Sequence, residues 1–374
     1  MLASSGECDL CGGQLKKFGR TAAGTQRFRC TECGSTSSMK HRRQDVAHRH
    51  ELDAFLAWLT SAQTQTQAGA RSGISARSFR RRTGWCWNIT PRIPVTGEIY
   101  DQIQLDGIYL GSWCCLIAIS PTGVIGYQWC NTEKRAAWEA LLGQFPAPAV
   151  VINDGAAGLL SARKHLWPET RVQRCLVHIQ RNIRRHITTQ PRTVPGKELR
   201  QLSLTLTRIN TTAQAAAWLA ALAEFHQRHR GFIFARTRHE EHTGPVPGWV
   251  RPGQRSWFTH DRLRKAYVLL ERCVKNDELF TYLDGDLDFE VASTTNQIEG
   301  GINAQIRLLL RHHRGLPEEH MRRAVEWFLY LRSEDPQPSH HLIRPEHHQP
   351  QGRSVAASEE QIGPVLYDSR PTDE

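Results

Sequence analysis

Hydrophobic and polar positions change their period along this chain and so divide it into parts. From Tyr100, "YDQIQLDGIYL" alternates apolar and polar residues, and two further apolar runs follow, which predicts a three-stranded antiparallel meander. Next come an amphipathic helix over about 134–144, the buried strand "AVVIND" and a helix over about 157–166. The short strand "TRVQRC" and a helix from about Val177 complete an α/β pattern.

Helical periodicity dominates the later part of the chain. Trp218, Leu219, Leu222 and Phe225 recur on one face, and a long helix is predicted over about 263–282. Further helices begin near Asn296 and cover about 318–331. The element order is that of an RNase H-like catalytic domain, predicted over residues 98–190 and 286–332, with an all-helical insertion at 191–285. Residues 333–374 are rich in His and Pro and lack periodicity, which predicts a disordered tail.

The stretch "TQTQAGARSGISARSFRRRTGW" has the pattern of a helix-turn-helix and predicts a DNA-binding domain over residues 41–92. Ser75 is the expected N-cap of the second helix, and Phe79 is expected to face inward. The alternative is a basic surface helix without a ligand. The side chains expected to face DNA are Arg77, Ser78, Arg80, Arg81 and Arg82.

Four of the ten cysteines have metal-ligand spacing. Cys8-x2-Cys11 and Cys30-x2-Cys33 predict a zinc ribbon over residues 1–40, in which four thiolates hold one structural Zn²⁺. The alternatives are a chance coincidence and a redox motif, but no βαβ context surrounds either pair. The remaining cysteines are expected to be free thiols, mostly buried: Cys86, Cys114, Cys115, Cys130, Cys175 and Cys273.

The charge of the chain is concentrated in its first quarter. The net charge is +11, and residues 1–92 hold 15 Lys and Arg against 6 Asp and Glu. Such a positive field indicates a polyanionic partner, most often nucleic acid; a membrane surface is the alternative. No run of about 18 apolar residues and no signal-peptide pattern occurs, so we expect a soluble cytoplasmic protein associated with the nucleoid.

Three carboxylates have settings that suit metal chemistry. Asp106 and Asp154 each follow an apolar run and precede a glycine, and Glu299 lies near the start of a predicted helix. Carboxylates are the oxygen ligands that Mg²⁺ prefers, and two such ions activate both oxygens of an in-line displacement at phosphorus. Each acid also has a structural alternative: a turn for Asp106, a helix cap for Asp154, and a capping box with Asn296 for Glu299.

Two features favour a functional Glu299. Gly300 and Gly301 follow it, and each costs about 1 kcal/mol in a helix interior, which suggests close approach of the backbone to a ligand. Asn303, Arg307 and Arg311 follow at near-helical spacing, so we expect Arg307 and Arg311 to contact the DNA backbone beside the metal site.

The motifs "LDG" at Asp106, "NDG" at Asp154, "CLVH" at Cys175–His178 and "NQIEGGINAQIR" around Glu299 resemble those of Mutator-type transposases of bacterial insertion sequences, in a subgroup that opens with a zinc ribbon. The resemblance spans roughly residues 5–332. It implies an RNase H-like fold with a helical insertion, whose DDE triad holds two Mg²⁺ or Mn²⁺ ions. The family's Cys-x2-His element matches Cys175 and His178; the pair could ligate zinc, position DNA or the catalytic helix, or simply pack.

The resemblance implies a DDE transposase that binds the terminal inverted repeats of its element and catalyses metal-dependent cleavage and strand transfer. The expected partners are double-stranded transposon ends and target DNA, on a homodimer or larger assembly. No nucleotide cofactor, membrane or small-molecule substrate is expected. Two alternatives remain: a non-catalytic DNA-binding regulator derived from a transposase, and a structure-selective nuclease on the same fold.

Overall fold

The computed structural model describes Cys8, Cys11, residues 13–38 and residues 40–348. The chain divides into two compact units, which we call the first unit and the sheet unit. The first unit comprises residues 1–91, 309–326 and 337–352, and the sheet unit comprises residues 92–308, 327–336 and 353–374.

The first unit begins with a small antiparallel sheet in the order β1-β2-β3. The backbone N–H of Cys8 donates to the Gly13 carbonyl oxygen at 2.7 Å, and that of Cys30 donates to the Ser35 carbonyl oxygen at 2.9 Å. These bonds close two similar tight turns at the cysteine pairs. The strands are β1 (Leu15–Arg20), β2 (Gln26–Cys30) and β3 (Thr36–Ser38).

Three helices follow, and the third has the N-cap that the sequence predicts. The Ser75 hydroxyl oxygen accepts the backbone N–H of Ser78 at 3.2 Å, and Phe79 is buried, so both predictions for the third helix are confirmed. Edge-to-face packing joins Phe79 to Trp58, and Trp58 to Trp87. The helices are α1 (Lys40–Leu59), α2 (Gln65–Arg71) and α3 (Ala76–Thr83).

Residues 309–326 belong to this first unit, although the sequence places them in the catalytic domain. His313 bonds the Leu59 carbonyl oxygen through Nε2 at 2.8 Å and packs its ring against Trp58. His320 stacks on Trp87 with ring centroids 4.1 Å apart. Burial lowers the pKa of both imidazoles, so the neutral rings pack as aromatic groups. Such ring contacts leave no trace in the spacing of apolar residues.

The prediction of a disordered tail from residue 333 is wrong for residues 333–348. Short 3-10 helices cover Ser339–Leu342 and Pro345–His348. The Asn88 side-chain amide donates to the His347 carbonyl oxygen at 2.8 Å, and His348 packs on Trp85. The prediction relied on the lack of periodic aliphatic residues, whereas histidine residues make these contacts. Residues 349–374 lie outside the described residues.

The sheet unit is a mixed α/β structure, as predicted. Its five strands have the order β6-β5-β4-β7-β8; β4, β5 and β6 form the predicted antiparallel meander, and β7 and β8 run parallel to β4. Helices α4 and α5 pack on the sheet core through residues such as Trp138 and Leu159. The elements are β4 (Gln102–Leu110), β5 (Trp113–Ile119), β6 (Val124–Cys130), α4 (Arg135–Leu142), β7 (Val150–Asn153), α5 (Ala157–Leu166) and β8 (Arg171–Arg174).

A second core lies among the helices that follow β8. Trp218, Leu222 and Phe225 are buried in it as predicted, whereas Leu219 is exposed. The prediction of an all-helical insertion is wrong, because β9 and β10 pair as antiparallel strands of three residues each, too short to show a period of two. The elements are α6 (Leu176–Ile187), α7 (Val194–Thr205), α8 (Thr212–Ile233), β9 (Arg236–Arg238), β10 (Ser256–Phe258) and α9 (Asp261–Lys275).

Helix α9 ends at Lys275, earlier than the predicted residue 282. Asp277 has a positive φ of 54°, which a continuing helix cannot contain. The turn brings Glu278 to Arg174 of β8, with Nη1 and Oε2 3.5 Å apart. The last elements are a π-helix at Gln297–Asn303, α10 (Ala304–His312) and α11 (Glu318–Tyr330). Among the described residues, none of these helices has the length and apolarity needed to cross a bilayer.

Candidate functional site

Strands β4 and β7 bring two of the predicted acids side by side. Their parallel register pairs Gln104 with Ile152, and the same register continued by two positions would bring Asp106 beside Asp154. Neighbouring strands lie about 4.8 Å apart. Asp106 is on β4 itself, and Asp154 directly follows the carboxyl end of β7, where ligands bind in open α/β sheets.

The turn that carries Asp154 rests on a buried arginine. Gly155 has a φ of +84°, and a Cβ at this position would overlap the Arg174 guanidinium. Arg174 Nη2 donates to the Asp154 carbonyl oxygen at 2.8 Å, and Glu278 is its buried ion-pair partner. The glycine therefore lets the chain turn directly over this cation. Asp154 Oδ1 accepts the Ala156 N–H at 2.8 Å, which is the bond of an Asx turn. The N-cap of α5 is Ala156 and has no side-chain cap bond, so the capping alternative is not realised.

The segment that carries Glu299 is joined to Asp106 by an amide. Asn303 lies four residues after Glu299 and is 1% exposed. Its Nδ2 donates to Asp106 Oδ2 at 2.8 Å, whereas its buried Oδ1 has no hydrogen-bond partner among the described residues. The π-helix has a wider turn than an α-helix, and such turns are frequent at functional sites.

The Glu299 carboxylate is held by helix α6. Arg181 Nη1 donates to Glu299 Oε1, and His178 Nε2 lies 3.7 Å from Glu299 Oε2. The Arg181 side chain is 45% exposed, so this ion pair faces solvent on one side. Glu299 is thus partly neutralised by residues of the same chain.

The capping-box alternative for Glu299 is not realised. The Asn296 side chain makes no cap hydrogen bond. It lies instead over Gly300, where a Cβ would be 2.7 Å from Asn296 Oδ1. The sequence predicts that the backbone at Gly300 and Gly301 closely approaches a ligand. At Gly300, the group that lies close is the Asn296 side chain of the same chain.

The charges of the three acids interact. Burial, and then the charge of Asp154, raise the pKa of Asp106 to about 7; Glu299 adds to this rise, and His178 opposes it. In the described parts of the chain, one group of three or more possible metal ligands has all its ligand atoms within 4.8 Å of one another, and it consists of the four cysteines described below. The three carboxylates therefore do not all lie within 4.8 Å of one another. Half-buried oxygen ligands with excess negative charge fit a divalent cation.

Cys175 and His178 connect α6 to the Glu299 segment. The buried Cys175 Sγ accepts from both the backbone N–H and the hydroxyl of Thr295, each at 3.3 Å. Burial opposes ionisation of this thiol, but hydrogen bonds from His178 and Thr295 outweigh it and lower its pKa. The hydrogen bond to Cys175 raises the pKa of His178. Among the described residues no third ligand completes a metal group with the pair.

The four predicted zinc ligands come together in the first unit. Cys8 and Cys33 have their Sγ atoms 3.6 Å apart, and Cys11 and Cys30 3.4 Å apart; all four sulfurs lie within 4.8 Å of one another. A tetrahedral Zn²⁺ with bonds of about 2.3 Å sets its sulfur ligands about 3.8 Å apart. The group fits a closed zinc site. None of the ten cysteines forms a disulfide, and the six others are buried as predicted.

The predicted DNA-contacting residues lie on two helices. On α3, four arginines are exposed, whereas Ser78 is half-buried and bonded to Ser75. Arg307 and Arg311 are exposed on α10, and Arg307 lines a cavity of about 150 Å³ with Arg181 and Glu299. The exposed arginines of α3 are Arg77, Arg80, Arg81 and Arg82.

Two residues of the site escaped the sequence analysis. Arg181 follows His178 by three residues, and this helical spacing could have shown that the two share a face. Arg174 ends a strand and pairs with a residue more than a hundred positions away, for which the sequence gives no signal.

Comparison with known proteins finds a family model that matches part of the chain. Residues 106–236 match the family model described as "Transposase, Mutator family". The matched segment contains Asp106, Asp154, Cys175 and His178, and it ends before Glu299.

Two curated proteins are similar to a limited part of the chain. A transposase for insertion sequence element IS905 of Lactococcus lactis subsp. lactis (strain IL1403) is 32% identical over 25% of this chain and 29% of its own length. A transposase for insertion sequence element IS1201 of Lactobacillus helveticus is 26% identical over 29% of this chain and 30% of its own length. The similarity thus spans less than a third of either relative.

Proposed function

Because residues 106–236 match the family model of the Mutator transposases, we propose that this chain is the transposase of an insertion sequence. In this proposal it binds the terminal inverted repeats of its element, cuts the DNA there and joins the freed ends to target DNA. The sheet unit then has an RNase H-like fold, which its strand order β6-β5-β4-β7-β8 supports. Pairing of two ends requires at least two copies of the chain.

The convergence of Asp106, Asp154 and the Glu299 segment carries this proposal. The parallel register of β4 and β7 aligns the two aspartates, and Asn303 bonds Asp106 from the helical segment of Glu299. Two Mg²⁺ or Mn²⁺ ions bound by these carboxylates would activate water, and later the 3′-hydroxyl, for attack at phosphorus. No covalent protein–DNA intermediate is required.

The protein's own residues orient this site. Arg174 fixes the turn of Asp154, and Asn303 fixes one oxygen of Asp106. We assign to Cys175 and His178 the positioning of Glu299, because Thr295 binds the thiol and His178 faces the carboxylate. Arg307 lies beside the same cavity and is suited to a DNA phosphate.

Recognition of the ends is assigned to the first unit. One Zn²⁺ held by the four cysteines stabilises the ribbon. Helix α3 presents a row of exposed arginines beyond the buried Phe79, and such a helix can enter the major groove while its arginines bind phosphates. Lys16, Lys17 and Arg29 extend the positive surface on the ribbon strands.

Replacement of Asp154 by Asn tests this function. In the presence of Mg²⁺, cleavage and strand transfer on DNA carrying the element's ends should fall by about 1,000-fold, because a lost metal ligand removes several kcal/mol of transition-state stabilisation. End binding, measured by gel mobility shift, should stay within about twofold. Glu169→Gln is the matched control, since this exposed acid lies just before β8, at the opposite end of the parallel strands.

Each alternative outcome identifies another function. An Asp154→Asn protein that cuts as well as the parent, or cleavage that survives EDTA, contradicts the metal site. End binding by the parent without any cleavage indicates the DNA-binding regulator. Cleavage that depends on branched DNA and ignores the terminal repeats indicates the structure-selective nuclease.

A further inference from the structure

Strands β1 and β2 share a cationic face that carries an exposed aromatic ring. Phe18 on β1 is 44% exposed, and the guanidinium carbons of Arg27 and Arg29 on β2 lie 5.7 and 5.3 Å from its ring centroid. The antiparallel register pairs Lys16 with Arg29, so Lys16 lies on the same face. We call these four side chains the aromatic face.

The aromatic face points away from the cysteines. Successive side chains of a strand point to opposite sides of the sheet, and the register pairs Lys17 with Phe28 and Leu15 with Cys30. These pairs therefore lie on the other side, together with the Cys30 thiol of the metal group. The aromatic face contributes none of the four sulfur ligands, so holding zinc does not explain it.

The charges of the aromatic face are not matched by acids. Strands β1, β2 and β3 contain no Asp or Glu. Among the described residues, no ion pair includes Lys16, Arg27 or Arg29. A guanidinium placed over an aromatic ring keeps N–H donors at its edge, so each arginine can contact the ring and a phosphate together.

An exposed ring among such cations fits single-stranded nucleic acid. Proteins that bind single strands combine a basic surface, which follows the backbone, with aromatic side chains on which bases stack. In a duplex the bases are stacked on one another, so duplex phosphates would satisfy the cations and leave the ring without a stacking partner. A membrane surface fits less well, because one phenyl ring buries little apolar area there.

We propose that the aromatic face binds an unpaired strand of DNA, with one base stacked on Phe18 and the neighbouring phosphates on the three cations. This inference rests on the proposed function, which brings the ends of the element to the first unit. It deepens that function by naming a single-stranded ligand for the ribbon. Helix α3 then binds the duplex, and the ribbon strands bind bases that have unpaired from it.

Two pairs of variants separate stacking from general attraction. Phe18→Leu keeps an apolar side chain and removes the π-face, whereas Phe18→Trp keeps a π-face. Lys16→Ala and Lys17→Ala remove the same charge from adjacent exposed positions on opposite faces of β1. All variants are full-length, zinc-loaded proteins. Zinc content by atomic absorption and thermal unfolding by circular dichroism check that the ribbon is intact.

The measurement is fluorescence anisotropy with three labelled probes. They are an oligothymidylate, the same oligonucleotide with tetrahydrofuran abasic sites in place of its nucleosides, and a duplex that carries an end of the element. The abasic strand keeps the phosphates and lacks the bases. Titrations at several salt concentrations give the slope of log affinity against log salt, which reports the number of phosphate contacts.

Phe18→Leu should bind the oligothymidylate about tenfold more weakly than the parent, the scale of one lost stacked base, and Phe18→Trp should restore the affinity. The affinity of Phe18→Leu for the abasic strand and for the duplex should stay within about twofold, because phosphate contacts are kept. Lys16→Ala should make the salt slope for the oligothymidylate shallower by about 0.7, one phosphate contact on a single strand, and Lys17→Ala should leave it unchanged.

Several results overturn this inference and leave the proposed function intact. Phe18→Leu that loses affinity equally for the oligothymidylate and the abasic strand, or for neither, refutes the stacked base. Equal salt slopes in Lys16→Ala and Lys17→Ala refute the assignment to one face, and this pair decides the matter even if a change at Phe18 disturbs the ribbon. Binding to vesicles of phosphatidylserine and phosphatidylcholine that Phe18→Leu abolishes, with parental DNA affinity, identifies a membrane surface instead.

Failure of the proposed function has a different sign. A parent protein that binds the end duplex no better than an unrelated duplex of equal length contradicts recognition of the ends, whatever the Phe18 variants show.

Discussion

The four cysteines of the first unit come from two tight turns of neighbouring sequence, whereas the carboxylates of the sheet unit come from β4, the end of β7 and a π-helix 145 residues further along the chain. The sulfur atoms all lie within 4.8 Å of one another, and the carboxylates do not. In the sheet unit, other protein groups bind the acids: Asn303 bonds Asp106, and Arg181 bonds Glu299.

The proposed function accounts for this difference. A structural zinc site is closed by four ligands and gains folding free energy from them. A catalytic site has to keep positions open for water and phosphate, so its ligands cannot also close the coordination shell. Under the proposed function, its acids need support from the fold before metal and DNA bind, and Arg174 and Asn303 supply it.

The largest effect is expected from Arg174, which joins the turn of Asp154 to Glu278. Arg174→Leu leaves Glu278 charged and buried without its partner, and such a loss costs about 3–5 kcal/mol of unfolding free energy. Urea unfolding of the full-length protein measures it. Arg171→Leu is the control, because its pair with Asp284 is 38% exposed on the arginine side and is worth about 1 kcal/mol or less. Equal costs in the two variants would contradict the assigned role of Arg174.

The next effect concerns the locally built site. Cys30→Ser removes one of the two buried thiolates, so zinc content should fall from one ion per chain to near zero, measured by atomic absorption. Without zinc the ribbon strands lose their support, and two charge-assisted DNA contacts would be lost with it. At about 1.5 kcal/mol each, their loss would weaken end binding roughly 100-fold. Mn²⁺ binding at the sheet unit should stay unchanged. Cys273→Ser is the control, as this thiol is buried in the helical core. Retained zinc in Cys30→Ser would refute a four-cysteine site.

The smallest effect tests whether Arg181 competes with metal for Glu299. Arg181→Ala frees the carboxylate, and a partly exposed ion pair is worth about 0.2–1 kcal/mol, so Mn²⁺ affinity should rise about threefold. Arg184→Ala, an exposed arginine one turn further along α6, should leave the affinity unchanged. Weaker Mn²⁺ binding in Arg181→Ala would show that this side chain supports the site and does not compete for it.

The sequence predicts those parts of the fold that depend on local pattern. The meander, the buried strand β7, helix α5 and the N-cap of α3 are all present, because alternation and capping act over a few residues. The π-helix at Glu299 and the end of α9 at Lys275 were missed. They depend on contacts with Asp106 and Arg174, which no local window contains.

The candidate site shows the same division. Asp106 and Asp154 could be found because each stands between an apolar strand and a glycine, and Glu299 because its surroundings resemble a family motif. Arg174 has no such signal. Its ion-pair partner Glu278 lies 104 residues further along the chain.

The three-segment construction of the first unit has a consequence for how the chain is made. His313 and His320 pack on Trp58 and Trp87, but the ribosome synthesises them more than 200 residues later. At about 5–20 residues per second, the emerging N-terminal helices wait roughly 10–40 s for these partners. During that interval their tryptophan surfaces are exposed. Chaperone dependence during translation, and poor solubility of a fragment truncated after residue 92, follow from the order of segments along the chain.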